Sequence, residues 1–141
     1  MDRDRRTGAT AAGDVIPKIV AAAVAFLVAL DAGARASVQF AWTDTAQKRR
    51  WSNFPNGAFP RDGLIWANLT ASQQRAWLAP VSATLSPEGY DRVMDEWAAE
   101  DALASRNASG REGRPRPSFG TPYSYVALIG AQPASYTDAH G

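Results

Sequence analysis

The sequence predicts an α+β fold, mostly helical, in which a helical hairpin packs on the beginning of a small, incomplete sheet. Three observations predict it. The stretch Thr70 to Leu103 carries start signals and helical apolar spacing for two successive helices. Tyr123 to Ile129, YSYVALI, alternates as a strand between Pro122 and Gly130, and both of its faces are largely apolar. Such a strand needs neighbours on its edges, yet the only other strand candidate is the short GLIWA, Gly63 to Ala67. The sheet is therefore expected to be finished by a second copy of the chain or by a segment following Gly141.

At 141 residues, 45% hydrophobic and 21% charged, the chain has the size and composition of one globular domain. Residues 1–13 are set apart as a disordered leader, and 14–141 as a single helical α+β domain that is a C-terminally truncated fragment. Lys and Arg number 15 against 14 Asp and Glu, a net charge of +1, so no global field draws the chain to nucleic acid and no such partner is expected. The absence of cysteine rules out disulfides and thiolate metal sites and is compatible with any redox compartment.

In chain order, the leader MDRDRRTGATAAG mixes charge with small residues and has no apolar period. Asp14 to Leu30 follows, and its run Ile19 to Leu30 admits two readings. One is a signal-peptide core, with Lys18 before it and Ala34-Arg35-Ala36 after it for cleavage after Ala36 and export. The other is a buried helix of a cytoplasmic domain with Pro17 in its first turn, favoured by Asp2, Asp4 and Asp14 cancelling the upstream positive charge. A membrane span is not expected, because the run falls short of the roughly 20 apolar residues that a bilayer needs. Asp31 to Trp42 breaks at Gly33 and reads as a short helix or turn. Thr43 and Asp44 then cap a helical turn, TAQKRRW, that would set Trp51 against the core. Lys48, Arg49 and Arg50 read as a solvated face.

Trp51 to Gly63, WSNFPNGAFPRDG, is a loop by its prolines, its glycines and Asn56-Gly57. Burial of Trp51, Phe54 and Phe59 is expected to pin it, each ring contributing about 2 kcal/mol. Arg61, between Pro60 and Gly63 and among those rings, is placed to stack or to grip a carboxylate. Thr70 and Gln73 form a capping box for the first hairpin helix, which Pro80 should bend or restart near Ala79. Ser86, Pro87 and Glu88 are a second start signal. Tyr90, Val93, Met94, Trp97, Ala98 and Leu103 give the second helix its apolar face. Opposite them lie Asp91, Arg92, Asp95 and Glu96. Glu96 and Glu100 share a side, but Arg92 four residues before Glu96 makes a solvated ion-paired face the simpler reading. Ser105 to Ser118 is a Gly, Pro, Ser and Arg-rich surface loop.

No metal cage, nucleophile triad or phosphate loop can be completed from these residues, and no cofactor is implied by them. The successive stretches AFLVALDAGARASVQFAW, RRWSNFPNG, PRDGL, LTASQQRAWLAPVSATLSPEGYDRVMDEWAAEDAL and PYSYVALIGAQPAS resemble the bacterial proteins grouped as domain of unknown function 3500, from about Ala25 to Ser135. The specific parts are Trp51 with the Pro-Arg-x-Gly loop, the Leu-Ser-x-x-Gly-Tyr turn at Leu85 to Tyr90, the Glu100-Asp101 pair and the aromatic strand ending in Gly130. The resemblance implies that Ala25 to Leu30 is part of the folded domain. It also implies a longer protein, continuing into a Gly-His-His-Leu segment and further strands. This chain has one histidine, His140, so a site built on a histidine pair is not carried over.

Two functions of different class follow. In the first the chain is an incomplete scaffold or binding module without activity of its own, engaging a partner or second copy through Trp51, Arg61, Tyr125 and the edge of the strand Tyr123 to Ile129. In the second it is part of a metal-assisted hydrolase, with Arg61, Glu100 and Asp101 as candidate catalytic residues and the histidine pair beyond this chain.

Overall fold

The apolar run that ends at Leu30 supplies the centre of the fold. In the computed structural model, which describes residues 5–54, 56–108 and 119–130, the run lies in α1 (Arg5–Val28) and the turn that follows it, and the first residues of α1 fall in the stretch set apart as leader. Phe26, Leu27 and Leu30 are buried there with Val38, Trp66, Leu69 and Val126. Helix α1 is covered by α4 (Ala71–Thr84), and these two share the most extensive helix–helix interface among the described residues. At its centre the rings of Phe26 and Trp77 meet edge to face at 5.1 Å. No described helix is long and apolar enough to cross a membrane.

Polar side chains close the ends of these helices. Arg35, in α2 (Ala32–Val38), donates to the Leu27 carbonyl at 3.0 Å, which also accepts from the Leu30 amide, and to the Leu30 carbonyl at 3.2 Å, fastening the turn that follows α1. Asp31 caps α2 by accepting from the Ala34 amide at 2.8 Å. The expected capping box is present: Thr70 Oγ1 accepts from the Gln73 amide and Gln73 Oε1 from the Thr70 amide. Gln73 also donates to the Ala29 carbonyl at 3.1 Å, tying the start of α4 to the end of α1. Helix α4 runs through Pro80 without restarting, and the proline is buried. Packing of α4 on α1 holds the helix together across the missing hydrogen bond.

Two residues later the hairpin turns into α5 (Pro87–Ala108), where Ser86 Oγ accepts from the Gly89 amide at 3.1 Å. Trp97 carries the packing of α5, edge to face on Trp66 with centroids 4.8 Å apart. Trp66 belongs to a short 3-10 turn, Trp66–Asn68, that leads into α4.

The strands correct the expected sheet. Tyr123 to Ile129 is not one strand but two, separated at Ala127, with Tyr123 in a 3-10 turn (Thr121–Tyr123). β1 (Gln39–Phe40) pairs in parallel with β4 (Leu128–Ile129), in register Gln39 with Leu128 and Phe40 with Ile129. β2 (Leu64–Ile65) pairs antiparallel with β3 (Tyr125–Val126), Leu64 opposite Val126 and Ile65 opposite Tyr125. Both halves therefore find a first partner inside this chain, one of them in the stretch read as helix or turn. The segment is apolar on both faces because it bridges two small sheets over the core. Gly63 makes the β2–β3 junction possible, since it sits at φ +114° and a Cβ there would run into the Val126 carbonyl.

Candidate functional site

A loop without regular structure must find partners for its backbone carbonyls in water or in side chains. The loop between α3 (Thr45–Arg49) and β2 finds them in two arginines. Arg61 donates to the carbonyls of Phe54 at 2.6 Å, Ser52 at 3.3 Å and Phe59 at 3.4 Å. Arg50 donates to the Pro60 carbonyl at 2.8 Å and pairs with Asp62 at 3.2 Å. Both guanidinium groups lie by the ring of Phe59, at 5.4 Å for Arg50 and 5.9 Å for Arg61. The expected aromatic anchoring is corrected accordingly. Trp51 is 80% exposed and Phe54 61%, and only Phe59 is half-buried, so polar staples and not ring burial hold the loop.

Arg61, Glu100 and Tyr125, which the sequence singled out separately, line one cleft of about 300 Å³. Its walls are the stapled loop, the Glu100 level of α5 and the segment from Phe119 to Tyr125. Tyr125 reaches across it, its hydroxyl 3.4 Å from Oδ1 of Asn56. Trp51 does not line the cleft. Asp101 is turned away from it: its carboxylate accepts from the Thr121 amide at 2.7 Å and the Thr121 hydroxyl at 2.9 Å, fixing the 3-10 turn that presents Tyr123. Gly120 lets that turn approach, because at φ +103° a Cβ would stand 2.9 Å from the Asp101 carboxylate. Asp101 is thus a structural neighbour of the cleft, and Glu100 the carboxylate in it. Successive residues of a helix point about 100° apart, which is why the pair divides its labour.

Sequence reasoning passed over Asn56, Tyr123 and Phe119 as members of this site. The Asn-Gly signal at Asn56 marks a turn and not a site, and the turn does form, with Gly57 at φ +90°. A larger hollow of about 450 Å³ beside β1 is lined by Ala32, Arg35, Ala36, Phe40, Trp42 and others. Two donor atoms of its one cation, Arg35, already serve α1. Among the described residues no group of three or more His, Asp or Glu side chains comes together as a metal would require. His140 lies outside the described residues.

The model of the family described as protein of unknown function (DUF3500) matches residues 12–141. The chain belongs to this family. No curated protein and no solved structure matches it. The stretches that resemble DUF3500 have distinct roles in the fold. The Pro-Arg-x-Gly loop holds the Arg61 staple and the Gly63 close approach. The Leu85 to Tyr90 turn joins α4 to α5, the Glu100-Asp101 pair forms a cleft wall and its brace, and the final strand segment joins the two small sheets.

Proposed function

We propose that this DUF3500 chain is a helical scaffold that presents one polar binding cleft and performs no chemistry alone. The observation that supports the reading is the meeting of Arg61, Glu100, Asn56 and Tyr125 in the 300 Å³ cleft, with the Arg61 guanidinium already oriented by three loop carbonyls. A cation fixed in this way loses little freedom when a ligand binds, which is what a recognition site requires. The strand segment Tyr123 to Ile129 adds a second attachment. Among the described residues each of its two strands has a partner on one side only, leaving the other for a second copy or a further segment of a longer protein. Metal-assisted hydrolysis is the alternative, and it would need a histidine pair that these 141 residues, with the one histidine His140, do not contain.

Amide-resolved NMR of the chain with a library of small polar molecules tests the cleft. Shifts confined to 52–61, Glu100 and 119–125, with no turnover of ester, amide or phosphoester probes, are the expected result. Hydrolysis that copurifies with bound metal and falls in Glu100→Gln would overturn it in favour of the hydrolase. Sedimentation of the same sample reports on the strand edges, where a monomer with strongly protected amides from Tyr123 to Ile129 would argue against both a second copy and a missing segment.

A further inference from the structure

The cleft holds two opposite charges that do not neutralise each other. Among the described residues all three hydrogen bonds of Arg61 go to neutral carbonyls, so its charge meets no carboxylate there and two of its five N–H groups are unused by them. Glu100 has no hydrogen-bonding or ion-pair partner among the described residues, where the one ion pair is Arg50 with Asp62. Its own helix offers no cation: the residues three and four positions away are Trp97, Leu103, Glu96 and Ala104. Phe54, Phe119, Tyr123 and Tyr125 also line the cleft, and an aromatic face is favourable to an ammonium group. At about 300 Å³ the space is at the lower end of small-molecule sites, on the scale of an amino acid and not of a nucleotide or oligosaccharide.

Resting on the reading of this cleft as a binding site, we propose that its ligand is a small zwitterion, an amino acid or a close analogue. Its carboxylate accepts from Arg61, and its ammonium group is held by Glu100 and the tyrosine rings. Among the described residues a ligand with one charge would leave the opposite side chain of the cleft unmatched. A zwitterion matches both, and the whole complex changes net charge by nothing.

The test is an NMR or calorimetric titration of the full chain with each common amino acid. It is followed, for the tightest, by the analogue lacking the amino group and the analogue lacking the carboxylate. Loss of either charge is expected to weaken binding roughly tenfold or more. Glu100→Gln should weaken the amino acid and the amine while leaving the carboxylate analogue unchanged. Arg61→Gln should do the reverse, and Arg61→Lys, which keeps the charge, should restore part of the loss if the loop stays folded. Because Glu100 is on the exposed face of a helix, its variant carries the test even where an Arg61 variant disturbs the loop. Equal binding of the amino acid and its carboxylate analogue, unaffected by Glu100→Gln, would refute the zwitterion while the binding cleft stands. Cleft shifts with other polar molecules but with no amino acid would do the same. Absence of cleft shifts with every molecule tried would refute both.

Discussion

The α1–α4 end of the molecule and the loop from Arg50 to Gly63 are both ordered around aromatic residues, but by opposite means. At the first, Phe26 is wholly buried against Trp77, and the order comes from removing apolar surface from water. In the second, Trp51 and Phe54 stay in solvent and the order comes from guanidinium groups satisfying carbonyls. The difference teaches where change is tolerated. Burial is cooperative with the whole fold, whereas a stapled loop can be loosened while the helices keep their packing.

Substitutions sharpen that contrast in order of size. Phe26→Ala empties the centre of the α1–α4 interface and is expected to cost about 3–5 kcal/mol in urea denaturation. A loss below about 1 kcal/mol would mean that α1 is not integral to the fold. Asp101→Ala removes both hydrogen bonds to Thr121, at an exposed position, and is expected to cost about 1–2 kcal/mol. Its effect should appear as amide shifts from Gly120 to Tyr125, linking α5 to the cleft wall. Thr70→Ala breaks the capping box of α4 and should lower stability by about 1 kcal/mol in the same measurement. Trp51→Ala is the smallest. At 80% exposure its expected change is within about 0.5 kcal/mol, and a loss comparable to that of Phe26→Ala would restore ring burial as the anchor of the loop.

What could be read in advance divides along the same line. The capping box at Thr70 and Gln73 and the start at Ser86 rest on residues three or four apart, so the sequence displays them directly. By contrast α4 passes through Pro80 unbroken and α5 continues to Ala108, into the stretch expected as a loop. β1 was invisible because its pairing with Leu128 and Ile129 is a tertiary contact between two residues on each side. The apolar character of Tyr123 to Ile129 was legible, but not that Ala127 divides it between two sheets. Arg61 stood out by its setting, and the structure keeps it at the centre of the loop, yet its partners are carbonyls that no residue code displays. Glu100 and Asp101 were legible only as a pair. Which of the two faces the cleft depends on where Thr121 docks on α5, a matter of packing and not of sequence spacing.

The separability of loop and core is the central claim, and backbone 15N relaxation of Arg61→Ala beside urea unfolding of the same variant tests it most directly. Order parameters across 51–63 should fall from the rigid range near 0.85 to below about 0.6 while those of α1 and α4 stay put. The unfolding free energy should drop by far less than in Phe26→Ala. Unchanged order parameters in the loop, or a global loss as large as that of Phe26→Ala, would contradict the account.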